Sequence, residues 1–172
     1  MMTEPRLRPL RATDAARVLE AFAEADMARQ GDVTDLPGAE RYIEGLSKAH
    51  RAFAFVDEAD QLLGVVALLV DDANRSGWFF YWTHPEGRGR GWTGRAAATV
   101  ASLALTDWGL ERLELGYRAN NPASGGVARA AGFVQEGLER GKFLIDGERV
   151  DVVTCARLLS DPEPDTLLLH FA

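Results

Sequence analysis

Arg88-Gly89-Arg90-Gly91-Trp92-Thr93-Gly94 separates an aromatic, strand-like run, Trp78 to Trp82, from the clearest helical pattern in the chain. In that pattern Ala97, Val100, Ala101, Ala104, Leu105 and Trp108 recur at helical spacing, and Arg95, Thr99, Ser102 and Thr106 form the opposite polar stripe. The start of a helix presents unpaired backbone N–H groups and the positive end of its dipole, which together attract phosphate. Glycines let the backbone approach phosphate oxygens closely, and Arg88 and Arg90 add charge. This chemistry calls for a phosphorylated ligand; the plainer alternative is a Gly/Arg-rich surface loop that caps a helix.

After the helix, Leu113, Leu115 and Tyr117 alternate with Glu114, Gly116 and Arg118, the period of a strand. Strand, helix and strand make one βαβ unit, so the flanking strands should run parallel. Gly89, Gly91 and Gly94 match the dinucleotide spacing Gly-x-Gly-x-x-Gly, with Glu114 about where a ribose ligand would stand. Two features oppose that reading. Residues 83–88 intervene between strand and first glycine, and a single βαβ unit is too little for a doubly wound sheet. A nucleoside-triphosphate loop is excluded because no Gly-Lys-Ser/Thr is present.

On the upstream side, Arg6 to Leu10 reads as a first strand. Thr13-Asp14 caps a helix with apolar positions Ala16, Leu19, Ala23 and Met27. A second helix runs from near Pro37 to Lys48, with Tyr42, Ile43 and Leu46 inward. Ala52 to Val56, Leu62 to Val70 and Trp78 to Trp82 follow closely enough to form an antiparallel meander. Downstream, Asn121-Pro122 opens a short helix that Gly132 closes, and Asp146-Gly147 is a hairpin turn before a last strand near Arg149 to Leu158.

The bulk properties fit one domain: 172 residues, 47% hydrophobic and 26% charged, with no linker or repeat. A net charge of -7 opposes non-specific binding to nucleic acid or anionic membrane and mildly favours cationic acceptors. Cys155 is the only cysteine, and His50, His84 and His170 have no metal-ligand spacing, so no metal is expected. Met1 to Arg8 lacks the apolar core of a signal peptide, and the longest apolar run, Leu62 to Val70, is about half a membrane span. A cytoplasmic location is the expectation.

His84-Pro85-Glu86-Gly87-Arg88-Gly89-Arg90-Gly91-Trp92-Thr93 resembles the coenzyme A pyrophosphate loop of the GNAT acetyltransferases. Arg118-Ala119-Asn120-Asn121-Pro122-Ala123-Ser124 with Ala131-Gly132-Phe133 resembles the same family's second motif, and Leu7-Arg8-Pro9-Leu10 and Asp151 to Leu159 fit its ends. The subgroup resembled is the ribosomal-protein N-acetyltransferase (RimJ/RimL) type. The resemblance implies an α/β (α+β) GNAT fold: a mixed central sheet of six to seven strands with two splayed parallel strands, flanked by about four helices. It implies one domain over residues 1–160, with 161–172 as a C-terminal extension. It also implies acetyl-CoA as co-substrate, held by Thr83, Arg88, Gly89, Arg90, Gly91, Trp92, Thr93, Gly94, Asn121 and Ser124. The partners are then acetyl-CoA and an amine acceptor, either a peptide N-terminus or a small molecule, with a homodimer as the candidate assembly.

Three departures from the family pattern stand out. Thr93 adds bulk where the family has Gly or Ala, Gly125 and Gly126 weaken the short helix by about 1 kcal/mol each relative to Ala, and Cys155 replaces an aromatic. A fourth concerns the chemistry. Many relatives carry a Glu on the strand before the loop, but Trp78-Phe79-Phe80-Tyr81-Trp82 has no carboxylate. The catalytic candidates are Ser124, as donor to the departing thiolate, Asn121, and His84 as a base acting through water. For Ser124 and Asn121 the alternative is helix capping. Three functions remain: an N-acetyltransferase acting on α-amines or small amines, a detoxifying acetyltransferase of antibiotics or metabolites, and a non-catalytic acyl-CoA sensor.

Overall fold

The computed structural model describes residues 4–172. Met1, Met2 and Thr3 lie outside them, and with them the first part of the Met1–Arg8 leader reading and of the 1–160 domain. Seven strands form one sheet: β1 (Arg6–Pro9), β2 (Arg51–Val56), β3 (Leu62–Asp71), β4 (Ser76–Thr83), β5 (Arg112–Arg118), β6 (Val134–Ile145) and β7 (Glu148–Leu158). Their order is β1-β2-β3-β4-β5-β7-β6, and among these described strands only the β4–β5 pairing is parallel. Four α-helices flank the sheet: α1 (Ala15–Phe22), α2 (Leu36–Ala49), α3 (Trp92–Thr106) and α4 (Pro122–Ala130). This is the mixed, seven-stranded GNAT sheet that the motifs imply.

Alternation along β3 and β4 builds a core on each face of the sheet. Phe79, Leu68 and Val66 pack with α3 and α4 on one side, while Trp82, Val65 and Ala67 pack with α1 and α2 on the other. α1 is phased differently from the expected Ala16, Leu19, Ala23 and Met27 stripe. Its buried positions are Ala15, Val18, Ala21 and Phe22, whereas Ala16 and Ala23 face water. Val18 and Phe22 have the larger apolar surface to bury, so they set the phase of the helix. Met27 is buried from a separate 3₁₀ turn, Ala25–Met27. Asp14 makes no side-chain cap on α1; its carboxylate grips the buried Arg8 guanidinium through two bonds of 2.8 and 2.9 Å.

The polar stripe on α3 also behaves differently from a solvated face. Residues 161–172, expected as an extension, run back across it. Thr99 accepts the Leu169 N–H at 2.8 Å, Ser102 donates to Glu163 at 2.7 Å, and both side chains are buried. Glu163 also faces the buried Arg157 guanidinium at 2.8 Å. The segment ends beside β1, where the Leu7 N–H bonds to the His170 carbonyl.

Between β4 and β5 the register covers only Ser76–Arg112, Gly77–Leu113 and Trp78–Glu114. Past Trp78 the two strands have no pairing with each other, and the site lies in that gap. At the far edge, Asp146 and Gly147 both have positive φ, as the two-residue turn of the β6–β7 hairpin requires.

Candidate active site

The gap owes its polarity to strand direction. The His84 N–H bonds to the Leu63 carbonyl at 2.9 Å, so the even residues of β4 turn their N–H groups toward β3. Tyr81 and Thr83 therefore turn theirs toward the gap. Across it, α4 starts at Asn121, whose carboxamide oxygen caps the helix by accepting the Ser124 N–H at 3.1 Å. This cap, with Pro122 in the first turn, offsets two helix-weakening glycines. Gly125 is required there for a second reason: a Cβ would lie 3.0 Å from the Tyr117 ring.

At the head of the gap, Gly89 and Gly91 have φ of 72° and 73°, and a Cβ on either would meet nothing within 4 Å. The first helical bond of α3 runs from the Arg95 N–H to the Gly91 carbonyl. The N–H groups of residues 92–94 thus have no intrahelical acceptor. Gly94 serves packing, since its Cβ would stand 2.9 Å from the Ala130 Cβ on α4. Thr93 fits because its hydroxyl is 2.6 Å from that of Thr83, which ties the loop to the end of β4. Arg88 reaches the Thr83 carbonyl at 3.3 Å and Asp26 at 3.2 Å. Open glycines in the left-handed region, free N–H groups and a mobile-length cation fit a pyrophosphate, and the strand edge fits an amide-bearing arm.

Two cavities meet at this gap. One, of about 540 Å³, is lined by Thr83, Arg88, Gly89, Gly91, Thr93 and Gly94. The other, of about 600 Å³, is walled by Trp78, Phe80, Tyr117 and the hairpin residues Lys142 to Ile145. Gln30, Tyr81, Arg118, Asn121 and Ser124 border both. Arg90 and Trp92 line neither: Trp92 is in the core, and the Arg90 guanidinium lies 5.0 Å over its ring. Among the described residues no Asp or Glu lines the larger cavity.

At the junction the Tyr81 hydroxyl donates to the Ser124 carbonyl at 2.8 Å, and the Ser124 hydroxyl lies 3.1 Å from the same Tyr81 oxygen. A tyrosine has one proton to give, so Ser124 is the donor in the second contact. Burial pushes the Tyr81 hydroxyl up to about 12, and it stays protonated at neutral pH.

His84 lines neither cavity. It lies toward α1, where its Nδ1 accepts from the Glu86 N–H at 3.3 Å and faces Arg17 at 3.2 Å. Two donors on Nδ1 leave the proton on Nε2, which lies 3.4 Å from Glu20. Burial first, and the Arg17 charge second, hold the imidazole pKa below its ordinary value. The lone pair a base would use is thus occupied by Arg17 and Glu86.

Of the sequence candidates, Thr83, Arg88, Gly89, Gly91, Thr93, Gly94, Asn121 and Ser124 come together. Tyr81, one of the aromatics of 78–82 that the sequence offers as core or pocket wall, joins them, as do Arg118, Gln30 and the 142–145 wall, which are not among the sequence candidates. Tyr81 is one of five consecutive aromatics, and strand alternation puts it with Phe79 on the face toward α4. The hairpin wall has no local signal, because distant pairing brings it to the gap.

Residues 6–134 match a family model described as acetyltransferase (GNAT) domain. No curated protein matches the chain. Among solved structures, spermidine N-acetyltransferase from Vibrio cholerae in complex with CoA and spermine is 23% identical, with a TM-score of 0.80 over 92% of this chain and 97% of that one. A dodecameric structure of that enzyme in an intermediate state is 22% identical, with a TM-score of 0.76 over 91% and 95%. Ribosomal-protein-S5-alanine acetyltransferase from Vibrio fischeri is 20% identical, with a TM-score of 0.78 over 95% and 98%. Likeness at this identity is one of fold. Among the described residues no helix is long and apolar enough to cross a membrane, and no group of three or more His, Cys, Asp or Glu is placed to hold a metal.

Proposed function

The chain belongs to the GNAT acetyltransferase family, acetyl-CoA-dependent enzymes that acetylate amines, and we propose that its preferred acceptors are α-amines or other weakly basic amines. One observation carries this reading: the larger cavity meets the coenzyme cleft at Tyr81 and Ser124 and has no carboxylate on its walls among the described residues. A lysine amine with a pKa near 10.4 is neutral in only about one molecule in a few thousand at neutral pH. An α-amine titrates near 7.7–8.0, so roughly a tenth is already neutral, a difference of about 3 kcal/mol. A site without a resident base tolerates the second far better.

In this scheme acetyl-CoA supplies the thioester. Gly89, Gly91 and the free N–H groups of 92–94 hold its pyrophosphate, with Arg88 adding charge; the β4 edge at Tyr81 and Thr83 receives its arm. Asn121 fixes the start of α4, which leaves its NH₂ for a ligand. The Ser124 hydroxyl, released from Tyr81, donates to the departing sulfur as the amine nitrogen forms its new C–N bond and loses a proton to water. Burial of Tyr81 keeps that pair protonated. A thiol with a pKa near 8.5 needs little assistance to leave, so one hydroxyl is enough.

The RimJ/RimL-type motifs agree with an α-amine acceptor, while the solved relatives include a spermidine enzyme, so both acceptor kinds occur on this fold. The expected homodimer is one assembly among several, since one relative is dodecameric; light scattering decides it. The missing carboxylate also supports an acyl-CoA sensor, which would bind acetyl-CoA without releasing thiol. The deciding experiment is competition between a lysine-free peptide with a free N-terminus and an N-blocked peptide with one lysine. Faster acetylation of the lysine peptide overturns the α-amine assignment, and absence of thiol release with any amine favours the sensor.

A further inference from the structure

We propose that the acceptor carries a carboxylate in addition to its amine, and that Arg118 is the residue that recognises it. The inference rests on the acetyltransferase reading above and adds the chemistry of the acceptor's other end. The chain as a whole is acidic, with 26 Asp and Glu against 19 Lys and Arg. Its acceptor cavity is lined differently: Arg29, Arg118 and Lys142 face it and among the described residues no carboxylate does, although Asp146 and Glu139 outside the lining offset the first and the last. Aromatic walls of low polarity strengthen the field of the remaining cation, Arg118, inside the cleft, and that field opposes a polycation.

The three cations differ in what already holds them. Lys142 is 2.6 Å from Glu139 on its own hairpin, and Arg29 is 3.8 Å from Asp146 at the hairpin tip. Arg118 has no side-chain hydrogen bond or ion pair with any described residue. It is the last residue of β5, fixed by its pairing with Val152, half-buried, and on the border of both cavities. A guanidinium partly removed from water with no partner is poised for a ligand that supplies one, and its planar fork matches a carboxylate with two parallel bonds. Trp78, Phe80, Tyr117 and Phe143 leave an apolar space beside it for the acceptor's body. The acceptor class is therefore an apolar or aromatic amine bearing an acid group.

Glycyl-phenylalanine and glycyl-phenylalaninamide offer the same α-amine and differ in the carboxylate; spermidine supplies the polycation. Thiol release from acetyl-CoA should favour the acid over the amide by about tenfold or more in kcat/KM, with spermidine poorest. Arg118→Gln should erase that preference by raising KM for the acid alone, with acetyl-CoA affinity unchanged in calorimetry. Equal or better use of the amide or of spermidine overturns the proposal. So does an Arg118→Gln variant that weakens both dipeptides alike or loses acetyl-CoA, which would make Arg118 a packing or coenzyme residue. Calorimetric binding of the two dipeptides in the presence of coenzyme A separates this inference from the one it rests on. Preferential binding of the acid without turnover leaves Arg118 its role and removes the enzyme reading, whereas turnover without preference does the reverse.

Discussion

Replacing Gly91 by glutamate separates the chemistry of the phosphate loop from its fold. Gly91 has a φ of 73°, and a Cβ there meets nothing within 4 Å, so the substitution brings no clash. The cost to the fold is the left-handed conformation of a non-glycine residue, about 1 to 2 kcal/mol, which lowers Tm by about 2 to 8 °C in a chain of this length. The cost to binding is larger. A carboxylate roughly 6 Å from two phosphate charges is repelled by about 1.4 kcal/mol in water and about 5 kcal/mol at an effective dielectric near 20. If acetyl-CoA binds in the micromolar range, about -8 kcal/mol, the variant loses from about tenfold to about a thousandfold or more. Gly91→Ala shares the backbone cost without the charge and serves as control. Gly94→Val tests the opposite case, since its Cβ meets Ala130 at 2.9 Å: stability should suffer first. Calorimetry with acetyl-CoA and a thermal melt on each variant decide the matter. Wild-type affinity in a folded Gly91→Glu protein refutes the assignment of this loop to the pyrophosphate.

Three further outcomes are expected. Ser124→Ala should lower kcat by about a hundredfold or less while acetyl-CoA affinity holds, measured with chemistry shown to be rate-limiting; an unchanged kcat returns Ser124 to helix capping. Asp14→Ala should cost about 3 kcal/mol in urea unfolding, because the buried Arg8 then keeps one carboxylate, Asp60, 2.9 Å away at the surface, beside the Pro9 carbonyl at 3.1 Å. His50 and His84 are both held below the ordinary value of 6.5 by burial, so the folded chain binds fewer protons than the unfolded chain as acid is added. Stability from these groups is complete above about pH 6.5 and falls below it. His84→Asn, which keeps an acceptor for the Glu86 N–H, should flatten part of that fall and leave the pH profile of kcat/KM unmoved.

The part of the chain from Trp78 to Arg118 was legible because its signals are local: aromatic alternation, paired glycines, one long small-residue stripe, then alternation again. The splay of β4 from β5 and the cleft beneath it follow from that unit and from the family motifs. Tertiary contacts overruled local reading in two places. Val18 and Phe22 turned α1 away from the face suggested by Ala16 and Ala23, because the larger side chains had more surface to remove from water. Thr99 and Ser102 belong to the polar stripe of α3, yet partners about 60 to 70 residues later cover them, which no helical period reveals. For the same reason the acceptor cavity was the least readable region: residues near 30, near 80 and near 143 wall it, and only the folded sheet brings them together. Its chemical character was partly visible all the same, in the absence of a carboxylate from Trp78 to Trp82.

The divergence of β4 from β5 sets an unusual condition in the middle of a sheet. Amides of Tyr81 and Thr83 belong to an interior strand flanked on one side by β3, yet on the other they lack a strand partner. In deuterated water they should exchange on the timescale of a loop, while those of Phe80 and Trp82, turned toward β3, remain slow. Alternate residues of one strand would thus report two different environments. A ligand that lies along the strand edge would slow the fast pair and leave the slow pair unaltered, giving a residue-by-residue record of occupancy that depends on neither turnover nor the identity of the amine.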